Sequence, residues 1–366
     1  MKKIYLLIFM HILSVSVILA SDSIFVFNKY RLTSTPFYGF LAPHHSYMKY
    51  YITSHVPAFS IEISQKTDGN KSWHQHYNNP TTGLGYLYAN FGNKILGNTH
   101  GLYSFMNVPI IHRLKFNFNV QIASGLAYIT QKFDADDNYL NTAIASRLNY
   151  YFNLSFDTKI NLSRNIQLRP IVSLSHFSNG AIKKPNLGLN LFMAGCGFVY
   201  SFNKTEIEQK NIDENFSRKN YFMFNYSAGS KQTFAYDKTN YFISSISIDY
   251  KIQNNPISII YFGTDFFYDN SLKMRIESQE NNFNPIDSYR AGIHVGYDLK
   301  ISRLSIILQI GGYCFSNFNE DGWMYDRLGL RYELNKNISV HVMLKSHLEV
   351  ADFVEWGVGY RFGKRE

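Results

Sequence analysis

The sequence predicts an all-β fold: an antiparallel β-barrel of the bacterial outer membrane with about sixteen strands. Three observations carry this expectation. The chain of 366 residues holds 30 Phe and 28 Tyr, yet its mean hydropathy is slightly negative. After residue 20 no run of about 18 apolar residues occurs, which excludes a helical membrane protein. Many aromatics without a helical span fit a barrel with aromatic girdles. Connections of two kinds then alternate along the chain, short on one side and longer and polar on the other. The last strand, finally, alternates Val354, Trp356, Val358, Tyr360 and Phe362 with Phe353, Glu355, Gly357, Gly359 and Arg361. An aromatic-ended strand of this kind reads as a signal to the barrel-assembly machinery.

Residues 1–20 have a two-lysine start, an apolar middle and a small residue before Ser21, the pattern of a secretory signal peptide. Its removal takes away Lys2 and Lys3, leaving 34 of the 36 Lys and Arg against 27 Asp and Glu, about +7. No block of Lys and Arg is long enough to form a phosphate stripe, so no nucleic-acid partner is expected. Cys196 and Cys314 lie far apart on different strands and define neither a disulfide framework nor a metal site. No cysteine follows the cleavage site, so a lipoprotein anchor is not indicated.

The rest of the chain, 21–366, reads as barrel. Ser21 to Ser34 gives no clear pattern and Phe37 to Leu41 at best a short strand. Alternating or aromatic runs follow at Val56–Gln65, Gly83–Phe91, Gly101–Ile111, Leu114–Phe133, Thr142–Leu162, Gln167–Ser178 and Leu187–Phe202. Gly, Asn, Asp and Pro punctuate them. The charged segment 203–219 has no strand pattern and separates the half 21–202 from the half 220–366. The second half repeats the style at Tyr221–Thr233, Tyr241–Ile252, Ile257–Tyr268, Tyr289–Lys300, Leu304–Phe315, Trp323–Leu334, Ser339–His347 and Phe353–Phe362.

If Ser178 stands at an outer end, the connections at His112–Arg113, Ser163–Arg164, Gln253–Pro256, Ile301–Arg303 and Asn335–Asn337 all fall inside, and all are short. Those on the other side include Asp134–Leu140, Asn179–Pro185 and Asn270–Pro285, as an outer-membrane barrel requires. Alternation also fits two packed sheets of a soluble secreted protein, but that fold would not sort its connections by side. One barrel closed by the terminal aromatic strand is expected. The alternative is an eight-stranded barrel followed by a second β unit, because Phe198–Phe202 (FVYSF) resembles the terminal strand.

On Gln167–Ser178 the residues Leu168, Pro170, Val172 and Leu174 share one face, and period two adds His176 and Ser178 to it. On the returning strand Phe202, Tyr200, Phe198, Cys196, Ala194 and Phe192 lead to Asn190. Three chemically capable side chains therefore finish an apolar surface that touches lipid. Ester hydrolysis by serine needs a hydroxyl, a base, a group that orients the base and a donor for the oxyanion. His176 and Ser178 supply the first two from one face, Asn190 is placed to hold the imidazole, and Asn186 or Asn179 to donate to an oxyanion. The plainer reading is a belt histidine, a strand-end serine and asparagines that serve turn geometry.

At these residues the sequence resembles the lipid A 3-O-deacylase (PagL-type) family, whose hallmark is a His-x-Ser-Asn segment followed by an Asn-x-Gly turn. Here that is His176-Phe177-Ser178-Asn179 and then Asn186-Leu187-Gly188. The whole chain looks like longer acyloxyacyl-hydrolase-like proteins of Bacteroidetes-type bacteria. The resemblance implies His176 as general base, Ser178 as nucleophile, Asn186 in the oxyanion hole and an eight-stranded barrel over 35–202. It implies action on lipopolysaccharide in the outer leaflet, with no cofactor. One departure stands out: the family's acidic triad member falls at Asn190, which orients a histidine but stabilises the imidazolium less than a carboxylate.

Gly180, Lys183 and Lys184 in the same loop are candidates for substrate contact, the lysines through lipid phosphates, although loop lysines are commonly just solvated. His44–His45 and His74-Gln75-His76 lack the ligands of a zinc site and read as solvated loop histidines. Asp134, Asp136 and Asp137 lack the Gly and Glu of a calcium loop. Lys345, His347 and Glu355 are expected in a polar network of the lumen, and Glu355 and Asp352 do not replace the missing acid, since Glu355 points inward. The rival to a lipopolysaccharide deacylase is a non-catalytic barrel or pore. Oligomeric state is not legible.

Overall fold

The computed structural model describes residues 30–43, 46–113, 116–202, 216–348 and 350–363. The expected signal peptide, His44–His45 and most of the charged connection lie outside the described residues.

Among the described residues sixteen strands form two closed antiparallel barrels of eight. The first consists of β1 (Tyr30–Ala42), β2 (Val56–Lys66), β3 (Thr81–Asn90), β4 (Asn98–Arg113), β5 (Phe116–Ile129), β6 (Leu148–Asn161), β7 (Ile166–Ser178) and β8 (Leu189–Ser201). The second consists of β9 (Lys219–Lys231), β10 (Tyr241–Asn255), β11 (Ser258–Asp269), β12 (Tyr289–Ile301), β13 (Leu304–Phe315), β14 (Met324–Glu333), β15 (Ile338–His347) and β16 (Val350–Phe362). The expected single barrel is thereby corrected. β8 closes on β1, with Arg31 opposite Ser201 and Ala42 opposite Asn190, so its edge is already filled. β16 closes on β9, with Trp356 opposite Ala228 and Phe362 opposite Phe222. Each half thus removes its own strand edges, which otherwise expose unpaired backbone groups.

Two strands of the first barrel differ from expectation. β1 is a full strand of 13 residues rather than a short one. The lumen side of its first part is polar, with Thr33 and Thr35 buried, and only Phe37 and Leu41 beyond them join the apolar core, so the apolar run marks its second part alone. The run expected from Thr142 begins only at Leu148, because Ala143 and Ile144 are both buried and two consecutive buried residues break a period of two. The connection 67–80, on the same side as the short turns, is longer than they are and carries a short helix, Ser72–His76.

The alternation holds along the walls. On β7 the residues Arg169, Ile171, Ser173, Ser175 and Phe177 are buried inward, while Val172 between them is 54% exposed. The first lumen is filled in two layers, as expected of eight strands. Toward the short turns Arg169 bridges Glu62 at 2.6 Å and Asp157 at 2.9 Å, and Gln121 and Tyr103 donate to Glu62 at 2.9 and 3.0 Å. Toward the long loops Leu87, Tyr103, Phe105, Tyr151, Phe177 and Met193 form an apolar plug, closed over by Met48, Tyr51, Phe91, Leu96 and Ile144 from three loops.

The second lumen is ionic. Arg327 bridges Asp265 and Glu355, both at 2.7 Å, and His294 faces Asp265 at 2.7 Å and Asp249 at 3.1 Å. Lys345 donates to Asp352 at 2.7 Å and lies 3.2 Å from His347 Nε2. Of the expected network of Lys345, His347 and Glu355, the first two meet around Asp352, whereas Glu355, fully buried, pairs with Arg327 and accepts from Ser245 instead.

Candidate functional site

The site is built on the ends of β7 and β8 nearest the long loops. Phe177 anchors it. Its ring is fully buried, edge-on to Phe91 at 5.7 Å and against Tyr151 at 5.2 Å. With Phe177 fixed inward, strand parity turns His176 and Ser178 outward together. Only an aromatic at the variable position of the motif hints at this anchoring in the sequence.

The ladder sets Asn190 directly opposite His176. The Nδ1 of His176 is 2.6 Å from Oδ1 of Asn190. With an amide oxygen facing it, Nδ1 carries the proton and Nε2 is left as the acceptor. Asn186 reaches Ser178 from the loop, its Nδ2 donating to Oγ at 2.9 Å. The backbone N–H of Asn179 donates to Oδ1 of Asn186 at 3.1 Å, which turns the amide so that its donor end meets the serine. Of the two asparagines expected near an oxyanion, Asn186 therefore presents the donor and Asn179 orients it. Ser178 is buried, and His176, Asn186 and Asn190 are half-buried.

Gly180, at φ +64°, turns the loop, and Lys183 and Lys184 stand beyond it with Lys183 exposed. Asn179, Asn186 and Asn190 supply contacts that build the cluster. Gly188 stands out in the sequence only as part of a motif, but by geometry it belongs to the site. Its φ is +79°, and a Cβ there would lie 2.9 Å from Cε1 and 3.5 Å from Nε2 of His176.

The other candidates resolve differently. His74 is buried rather than solvated, with Nδ1 3.1 Å from Asp68, because the short helix turns it against Trp73; His76 is exposed. Among the described residues no group of three or more His, Cys, Asp or Glu could hold a metal ion. Asp134 caps its own loop, accepting the N–H of Asp136 at 3.2 Å. Cys196 and Cys314 are free.

Two closed eight-stranded walls with exposed apolar sides define an outer-membrane β-barrel protein, and the first barrel carries serine, histidine and asparagines on its outward face. Residues 58–199 match the lipid A 3-O-deacylase (PagL) family, and residues 220–365 match the acyloxyacyl hydrolase C-terminal domain. No curated protein matches the chain. Similar solved structures include the outer membrane enzyme PagL, at 16% identity over 45% of this chain and 97% of that one, TM-score 0.30. Neisserial surface protein A is similar at 6% identity over 47% and 97%, TM-score 0.33.

Proposed function

We propose that the first barrel is a serine esterase of the bacterial outer membrane that removes an acyl chain from lipid A of lipopolysaccharide. The observation that carries this is the pairing of two contacts on one lipid-facing surface: Asn190 on His176 Nδ1 and Asn186 on Ser178 Oγ. The match to the lipid A 3-O-deacylase family over the same residues supports it.

In this reading Nε2 of His176 takes the proton from Ser178 as Oγ attacks the ester carbonyl, and the Nδ2 of Asn186 stabilises the oxyanion. The imidazolium then gives its proton to the departing sugar oxygen, and water repeats the sequence on the acyl-enzyme. Asn190 holds the tautomer without countering the imidazolium charge. Lys183 and Lys184 are assigned to the phosphates of the same lipid, and Gly180 to the turn that presents them. Transport through the first barrel is not favoured, since the described lumen is filled by ion pairs and an apolar plug.

A fluorophosphonate probe tests the nucleophile. The adduct is expected on Ser178 and is expected to vanish in His176→Ala. Labelling elsewhere, or labelling independent of His176, contradicts the assignment.

A further inference from the structure

We propose that Gly188 is a positioning residue for His176: its missing side chain leaves room for the imidazole edge that carries Nε2, and Tyr51 holds the glycine there through the loop Leu140–Ala143. This rests on His176 being the base of the proposed reaction.

A Cβ at position 188 would lie 2.9 Å from Cε1 of His176, closer than carbon atoms pack, and in a tight 3.2 Å contact with the Phe177 carbonyl oxygen. The Phe177 carbonyl is fixed by a fully buried side chain, so the imidazole is the part that must yield. Rotating it breaks the 2.6 Å contact with Asn190. Leaving it in place puts a methyl 3.5 Å from Nε2, where a reacting hydroxyl has to approach.

The glycine is itself held. Its N–H donates to the Ala143 carbonyl at 3.0 Å, and the N–H of Leu187 to that of Thr142 at 3.4 Å. Tyr51 pins this loop from another: its hydroxyl donates to the Leu140 carbonyl at 2.8 Å and accepts from the Thr142 N–H at 2.7 Å. Burial pushes the phenol up to about 12, so this link persists across the working range of pH. Three loops that are remote in sequence thereby set the position of one ring.

The test compares Gly188→Ala, Gly188→Asn and Tyr51→Phe in the full chain, folded in detergent. Asparagine tolerates the left-handed backbone but carries a Cβ, so it separates backbone strain from contact with the ring. The readout is the ¹⁵N spectrum of His176, assigned by His176→Gln, together with kcat and KM for ester hydrolysis. In the parent the ring is expected as the Nδ1–H tautomer. Both glycine variants are expected to lose that signal and about 10²-fold in kcat with KM unchanged, and Tyr51→Phe to lose part of both. An unchanged His176 signal in Gly188→Asn overturns the proposal whatever the rates. If the parent hydrolyses no ester the deacylase reading fails, while the spectrum still decides the positioning. Should the glycine variants not fold, an unaltered signal in Tyr51→Phe overturns it.

Discussion

His176 and Asn190 face each other across the β7–β8 ladder, Nδ1 to Oδ1 at 2.6 Å. An amide in this place fixes the ring but leaves the imidazolium without a counter-charge. Asn190→Asp is therefore expected to raise kcat, by up to about 10²-fold, and Asn190→Leu to lower it by a similar factor. The barrel should stay folded in both, since the position faces outward. Steady-state rates on a soluble ester check the ordering, and a leucine variant as fast as the parent would remove Asn190 from the site.

Asn186 contributes a donor to Ser178 while its Oδ1 accepts from the Asn179 N–H. Replacing it by alanine removes the Nδ2 that lies 2.9 Å from Ser178 Oγ and is expected to cost about 10²–10³ in kcat with KM little changed. A rise in KM at constant kcat would instead make it a ground-state binding residue.

Arg169 tests what holds the first barrel together. Its guanidinium neutralises Glu62 and Asp157 in a buried layer. Arg169→Leu leaves two carboxylates unpaired, for an expected loss of roughly 3–5 kcal/mol. Urea unfolding in detergent, followed by the heat-modifiable electrophoretic band, measures it. A loss under about 1 kcal/mol would mean that the surrounding amides suffice.

The connection 67–80 is expected to open in acid. Burial pushes His74 below the ordinary histidine value, opposed in part by the charge of Asp68. Asp68 is also held low: burial works to raise it, but the N–H of Asn70 and the nearby His74 outweigh that. Both groups then bind protons more readily in the open loop than in the closed one. The packing is complete above about pH 6.5 and is lost as pH falls through the lowered histidine value. Trp73, whose ring lies 4.2 Å from that of His74, reports it by fluorescence with Trp323 and Trp356 replaced by Phe. The change should disappear in His74→Phe; a spectrum constant from pH 8 to 4.5 contradicts it.

Much of this was legible because a membrane wall enforces a period of two. Leu304–Phe315 is bounded as the alternation implies, and parity alone turned His176, Ser178 and Asn190 to one face. Closure was not legible, since alternation says what a strand exposes but not which distant edge it joins. FVYSF at Phe198–Phe202 was the single local trace of a second closure. The role of Gly188 was hidden for a similar reason: it depends on the Ala143 carbonyl, which belongs to a loop far away in sequence.

The central claim is tested most directly by the mass of lipid A from outer membranes of cells expressing the parent or Ser178→Ala, each confirmed as a folded barrel. The account predicts lipid A lighter by one acyl chain with the parent and intact lipid A with the variant. Identical spectra from the two would contradict it.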